Sequence, residues 1–267
     1  MMLTIPAPIL DAIERGATIV LSLSGGKDSQ AMAHAVCAFL RDTGRTNPVV
    51  AVHADLGRAE WAETTAVVRA QAAHLGLDLA IVQRDVAGRD GPEDLLDHIR
   101  ARAAKVGDTK VFWPSSKNRY CTSDLKRDPI NKWIIALPTN LVISVEGVRA
   151  EESSRRAKQP CWEPRKRITT KTREALTWRP IHEWTEAQVW EAIGGREGLH
   201  VHPAYALGND RLSCSLCIFG SKGDLERGAL ANPEYANDLA DLEQQYGYTF
   251  TETTSVLDLC NALNIRR

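Results

Sequence analysis

Residues 18–23 (TIVLSL) form a short β-branched apolar run that leads directly into Ser24-Gly25-Gly26-Lys27-Asp28-Ser29. Behind that segment Met32, Val36, Phe39 and Leu40 fall at helical spacing, and Gly44 closes the run. Strand, glycine turn and helix in that order are the opening of a βαβ unit. Two adjacent glycines let the backbone turn tightly and approach a ligand closely. The first N–H groups of the helix then face an anion, and the helix dipole favours negative charge there. Lys27 adds a point charge, and Ser24 and Ser29 add hydroxyl donors. The segment is not the Walker loop, because Lys27 follows the glycine pair directly.

The alternation continues. Strands are expected at 49–53, 79–82 and 141–145, and helices at 61–75, 93–105 and 122–137. Pro129 predicts a kink or two pieces in the last of these. The fold class that follows is α/β, a doubly wound, mostly parallel sheet covered on both faces. Ligands of such sheets bind at the carboxyl ends of strands. Residues 178–181 read as an added edge strand, since Pro180 excludes a central one. Thr185 reads as an N-cap with Glu186 in the first turn of a helix through 193. From 232 onward the chain is acidic and helical, with Asn237, Leu239, Leu242 and Tyr246 on a surface helix. The expected division is one domain over 1–220 and a helical extension over 221–267.

Lys and Arg number 33 against 34 Asp and Glu, so a net charge of −1 gives no bulk attraction to nucleic acid or membrane. No apolar run approaches the ~20 residues of a membrane helix. Residues 1–6 carry no basic region, so no secretory signal is expected and a cytoplasmic location follows. Charge is concentrated locally instead. Residues 149–173 hold nine basic side chains and three acidic ones. That stretch reads as a long loop and a lid with strong affinity for an anion, a solvated charged face being the alternative.

Six cysteines occur, at 37, 121, 161, 214, 217 and 260. Cys37 and Cys260 lie in apolar helical patterns and read as buried thiols. Cys121, Cys161, Cys214 and Cys217 lie in polar, Arg-rich contexts and are the candidates for chemistry. Cys214-Ser215-Leu216-Cys217 is a CxxC, which alone is ambiguous between zinc, redox and iron–sulfur roles.

Ser24–Ser29 resembles the PP-loop of the ATP pyrophosphatases, in the phosphoadenosine-phosphosulfate (PAPS) reductase branch. Four further stretches match in order: Arg119-Tyr120-Cys121-Thr122-Ser123-Asp124-Leu125-Lys126 with Pro129; Gly147-Val148-Arg149-Ala150-Glu151-Glu152-Ser153; Trp178-Arg179-Pro180-Ile181 with Trp184-Thr185; and His202-Pro203-Ala204-Tyr205 leading to Arg211 and the CxxC. The resemblance covers roughly 18–220 and implies that Asp55, Gly147 and Arg149 help Ser24, Gly25, Gly26, Lys27, Asp28 and Ser29 hold the nucleotide. Lys27 and Asp28 are the expected catalytic residues. The resemblance also implies a [4Fe–4S] cluster on Cys121, Cys214 and Cys217, with Cys161, a small ligand or an open position at the fourth iron.

Two departures steer the functional expectation. Sulfonucleotide reductases carry a Glu-Cys-Gly motif, where this chain has Leu259-Cys260-Asn261. They also tend to have a degraded loop, where this one is intact. The expectation is therefore an adenylating enzyme that cleaves ATP, with Mg²⁺, to AMP and pyrophosphate and acts in sulfur transfer. Arg119, Lys126, Arg155, Arg156 and Arg211 are its candidate anion contacts. A sulfur-donor protein or sulfide is the expected partner, with a nucleic-acid acceptor and self-association left open. A PAPS or APS reductase is the first alternative, and a non-catalytic nucleotide- or nucleic-acid-binding protein the second.

Overall fold

β-branched side chains are stiff at Cβ and pack well on a pleated surface; the run at 18–23 accordingly becomes an inner strand. In the computed structural model, which describes residues 2–107 and 109–267, a helix α1 (Ala7–Glu14) precedes that strand, β1 (Thr18–Ser22). Then follow α2 (Lys27–Asp42), β2 (Val49–Ala54), α3 (Thr64–His74), β3 (Asp78–Val82) and α4 (Leu95–Val106). The middle of the chain carries α5 (Tyr120–Thr122), a π-helical turn (Ser123–Arg127), α6 (Asp128–Ala136), β4 (Leu141–Val145), α7 (Ser154–Ala157), β5 (Trp162–Pro164), β6 (Glu174–Trp178) and α8 (Glu186–Ala192). Three helices, α9 (Lys222–Ala231), α10 (Pro233–Tyr246) and α11 (Val256–Ala262), follow.

The chain divides into two compact units interleaved in sequence. One comprises Met1–His53, Thr64–Ile81 and Asn131–Ala206; the other comprises Ala54–Glu63, Val82–Ile130 and Leu207–Arg267. The first carries a six-stranded sheet of order β3-β2-β1-β4-β6-β5. β1 pairs in parallel with β2 and β4, and β4 with β6, while β5 runs antiparallel to β6. Ile19, Val20, Leu21, Val142, Ile143 and Trp178 are fully buried, as expected of a parallel sheet covered on both faces.

The strand expected at 178–181 is corrected in place and in rank. It spans Glu174–Trp178 and is an inner strand between β4 and β5. Pro180 lies past its end and costs it no ladder bond. The edge strand is β5, where Pro164 is tolerated. Pro129 does divide its helix: α6 begins at Asp128, so the proline stands in the first turn, and the π-turn lies before it.

The basic stretch 149–173 is not one long loop. It contains a 3₁₀ turn (Ala150–Glu152), α7, β5 and the turn into β6. β5 starts with Trp162 beside Trp178 and ends with Pro164 beside Leu176. It therefore leads from the carboxyl end of the sheet to the amino end, where Glu174 stands beside Leu141. Residues 165–173 lie there, about 13 Å along the strands from the end where Ser24 and Gly147 emerge, at ~3.3 Å per residue.

The second unit is helical and has its own core, including Leu96, Ile99, Phe112, Trp113, Leu125, Leu216 and Leu239. The helix expected on the surface, α10, is central to it. Tyr235, Ala236, Leu239, Ala240 and Leu242 are buried, as are Asn237 and Glu243. Its polar residues obscured this, because they are consumed locally: Glu243 accepts from Ser255 Oγ at 2.7 Å and Leu257 N at 2.8 Å. Cys260 is fully buried and Cys37 partly buried, with burial raising the Cys37 thiol to about 11. No helix among the described residues is long and apolar enough to cross a membrane.

Candidate functional site

In the first unit, β1 delivers the chain into a loop closed by one hydroxyl. Ser24 N donates to Ser29 Oγ at 3.1 Å, and Ser29 Oγ donates to Gly26 O at 2.9 Å. Gly25 has φ +78°, the left-handed region that favours glycine. Gly26 is the extended N-cap of α2. From α3, Gln71 Nε2 donates to Gly25 O at 3.1 Å and holds the turn from behind. Lys27 N donates to the Tyr205 hydroxyl at 3.0 Å.

Lys27 is 3% exposed. Its ammonium lies 5.6 Å from the Trp190 ring centre and 5.3 Å from that of Tyr205. It reaches Glu186 Oε1 at 3.5 Å and Asp28 Oδ2 at 3.8 Å. Arg149, equally buried, donates through Nε to Asp28 Oδ1 at 2.5 Å and through Nη1 to Glu151 Oε2 at 2.5 Å. Two buried cations and three carboxylates thus form a continuous chain, Glu186–Lys27–Asp28–Arg149–Glu151. Burial works against the Arg149 charge, but Asp28 outweighs it and the guanidinium is held above its ordinary range. Burial likewise pushes the Glu186 carboxyl up, but the Lys27 charge prevails and holds it below the usual range. Such a constellation is built for anion exchange: phosphate oxygens can replace carboxylate oxygens around Lys27 and Arg149 without leaving either cation unpaired.

Gly147, expected beside the nucleotide, meets the loop itself. A Cβ there would stand 2.7 Å from Asp28 O and 2.9 Å from Ser29 Cα. Both are backbone atoms, so the clash cannot be relieved by a rotamer. Gly147→Ala is expected to cost about 1–3 kcal/mol of stability, and at least tenfold in the ATP affinity proposed below, because α2 must shift at its N-terminus. Calorimetric titration with ATP and a thermal melt measure the two; wild-type affinity in the variant would refute the close-approach role.

The sequence reading assigned no role to Glu186, Trp190 and Tyr205. Their signals were present but faint. Thr185 and Gln188 form a capping box that starts α8 and puts Glu186 and Trp190 on one face. Trp190 Nε1 donates to Glu186 Oε1 at 3.2 Å. His202 Nδ1 accepts from Ala204 N at 3.1 Å, starting the short 3₁₀ turn (Pro203–Tyr205) that carries Tyr205.

The second unit carries the thiols. Cys121 stands in α5, two residues before the π-turn, and Cys214 and Cys217 bracket a loop ahead of α9. Among the described residues no three Cys, His, Asp or Glu side chains converge on a single metal ion. The three thiols nonetheless share one electrostatic neighbourhood with Lys126. Burial pushes the Cys214 thiol up to about 12, opposed by Lys126. Burial also raises Cys121, opposed by Thr122 and Lys126. Burial disfavours the Lys126 charge in turn, but Cys214 and Glu60 outweigh it, so the ammonium is held above its usual range. Three soft donors beside one cation are of the ligand type that iron–sulfur groups take.

The CxxC loop is clamped by its second residue. Ser215 donates to Ala59 O through both N, at 2.9 Å, and Oγ, at 3.1 Å. Asn232 Nδ2 donates to Ser215 Oγ at 3.2 Å. A Cβ on Gly228 of α9 would lie 1.7 Å from Ser215 O. Gly228→Ala is therefore expected to destabilise the second unit by about 3 kcal/mol, the overpacking being against backbone. Urea unfolding would show it; an unchanged midpoint would mean that α9 slides freely past the loop.

The remaining expected site residues divide between the two units. Asp55 belongs to the second unit, where its carboxylate accepts from Gly57 N at 2.7 Å and Gln83 Nε2 at 2.9 Å. Arg119 lies over the Phe219 ring at 5.0 Å, and Arg211 is exposed. Arg155, in the first unit, is exposed, while Arg156 pairs with Glu152. Cys161, also in the first unit, precedes β5, and its carbonyl accepts from Arg179 N at 2.7 Å. Besides the thiols, the second unit has a cleft of about 440 Å³ whose lining includes Trp113, Phe219, Tyr248 and Phe250 together with Ser115 and Thr251.

Residues 18–219 match the model of the phosphoadenosine phosphosulfate reductase domain. A 37.8 kDa protein from the gpa 5′ region of Escherichia phage 186 is 34% identical over 139 residues, 51% of this chain and 40% of the phage protein. The chain thus spans about two fifths of that relative's length. Among solved structures, PAPS reductase from Candida auris superposes with a TM-score of 0.47 at 18% identity, covering 73% of this chain and 80% of that one. The U34-tRNA thiolase NcsA of Methanococcus maripaludis, with its [4Fe-4S] cluster, gives 0.45 at 14% identity, covering 95% and 72%.

Proposed function

The chain belongs to the phosphoadenosine phosphosulfate reductase domain family, and from that premise we propose that it is an adenylating enzyme that cleaves ATP to AMP and pyrophosphate in the service of sulfur transfer. The observation that carries this is the chain of charges on an intact phosphate loop. Lys27 and Arg149 are buried, and each already holds a carboxylate, Glu186 and Glu151 respectively, that a polyphosphate can replace. In the proposed reaction an acceptor oxygen attacks the α-phosphorus, and the bond from that phosphorus to the bridging oxygen of the pyrophosphate breaks. Lys27 and the loop N–H groups neutralise the charge that develops on the leaving pyrophosphate, Mg²⁺ assisting. Asp28 holds Arg149 in place and orients it. Sulfur then displaces AMP from the adenylated acceptor.

Cys121, Cys214 and Cys217 would hold a [4Fe–4S] cluster, which when bound supplies a centre able to carry sulfur or electrons. Lys126 offsets the negative charge of three thiolates in a partly buried place. Ser215, Gly228 and Asn232 fix the loop that presents two of them. A sulfide or a sulfur-donor protein supplies the transferred atom.

A sulfonucleotide reductase is favoured by the name of the matching family. Against it, Cys260 is fully buried in α11 and presents no thiol to a substrate. Product analysis separates the two. AMP and pyrophosphate formed from ATP would support adenylation; sulfite released from PAPS or APS, with no pyrophosphate from ATP, would overturn it.

A further inference from the structure

We propose that the turn formed by residues 165–173, at the amino end of the sheet, is a contact surface for the phosphodiester backbone of a nucleic acid. Its sequence, RKRITTKTR, holds five basic residues, three threonines and no carboxylate. The structure divides these by role. Arg165 turns inward, donating to Asn131 Oδ1 at 2.9 Å and Ser144 Oγ at 3.1 Å and pairing with Glu146 at 3.3 Å. Arg173 also turns inward and donates to the carbonyls of Ile135, Leu137 and Thr139, which crowd the C-terminal end of α6. Ile168 is 1% exposed and pins the middle of the turn. Thr170 Oγ1 accepts from Arg173 N at 3.1 Å and Thr172 N at 3.3 Å.

What remains outside is a fixed platform. Lys166, Arg167 and Lys171 are exposed, with Thr169, Thr170 and Thr172 exposed among them. The carboxylates that flank the turn are engaged elsewhere: Glu163 pairs with Arg179 at 2.6 Å, and Glu174 with Arg15 at 2.7 Å. The threonine hydroxyls brace the turn itself, Thr169 Oγ1 donating to Arg165 O at 3.2 Å and Thr170 Oγ1 meeting Thr172 Oγ1 at 3.3 Å, so the three exposed cations stand on a braced turn, which suits a repeating phosphate and loses little entropy on binding one. The backbone of the turn lies at the amino end of the sheet and the phosphate loop at the carboxyl end, and Arg165 reaches back to Glu146. The lone apolar side chain of the turn is buried, so nothing is offered to the apolar interior of a membrane.

The test is fluorescence anisotropy with labelled duplex DNA and labelled single-stranded RNA, each titrated over a salt series without ATP. The Lys166→Ala/Arg167→Ala/Lys171→Ala variant should bind the preferred nucleic acid at least tenfold more weakly at low salt. The slope of log affinity against log salt should become shallower by about 2–3, as expected for three phosphates released. Lys222→Ala, an exposed lysine in the other unit, should bind as wild type, and circular dichroism melts should show all variants folded. Wild-type affinity and slope in the triple variant, absence of binding of either nucleic acid, or equal binding to polyglutamate would each overturn the proposal. None of these readouts depends on ATP cleavage, so failure here leaves the adenylation chemistry to its own assay.

Discussion

Replacing Lys27 by alanine is expected to lower pyrophosphate release by a factor of about 10²–10³, equivalent to ~3–4 kcal/mol of transition-state stabilisation. The size of the effect follows from burial. The ammonium is 3% exposed and lies against two aromatic rings, so its charge acts through protein and little water screens it. Its present partners are carboxylates, Glu186 and Asp28. In the alanine variant those carboxylates face incoming phosphate with one cation fewer, so ground-state binding falls as well. Lys27→Met keeps the packing against Trp190 and Tyr205 and separates lost charge from lost volume. Both variants should fall alike in pyrophosphate release, while Lys27→Met keeps more of the wild-type melting temperature. Wild-type turnover in either would remove Lys27 from the chemistry.

That lysine could be found from its sequence neighbours, because a strand, two glycines and a helix encode the loop locally. The same holds for β1, β2, β3 and β4, each a short apolar run with turn residues behind it. The features that were misread depend on distant contacts. β6 begins with Glu174 and contains Thr177, and its place between β4 and β5 is set by register and not by its own hydropathy. The surface assignment of α10 failed for a related reason: Asn237 and Glu243 look exposed, yet Asn237 bonds Ile265 O at 2.8 Å and Glu243 serves the turn before α11. In the site, Tyr205 meets Lys27 from 178 residues away, and no periodicity carries that information. The basic stretch shows the converse error. A count of charges treats Arg165, Arg173 and Lys166 alike, whereas two of them brace the fold and one faces solvent.

Replacing Cys214 and Cys217 together by serine is expected to reduce iron and sulfide in anaerobically purified protein to background and to abolish visible absorption. Serine keeps the volume of cysteine but presents a hard oxygen whose proton is lost far less readily, so the soft-donor set for iron is broken. Cys121→Ser should leave a labile remnant, since it removes one donor and leaves the CxxC loop clamped by Ser215. The controls follow from burial. Cys260 is fully buried, and neither it nor Cys37 shares the Lys126 neighbourhood of the three candidate thiols, so serine at either position should cost about 1–2 kcal/mol of stability and no iron. Cys161→Ser tests the fourth position: iron loss assigns it to that thiol, and full retention leaves it to a small ligand or open. Lys126→Ala should weaken iron retention without removing a donor, because three thiolates in a partly buried place then lose the cation beside them. Full iron content in the Cys214/Cys217 double variant would exclude the thiol site as the cluster ligand set, whatever the outcome at Lys126.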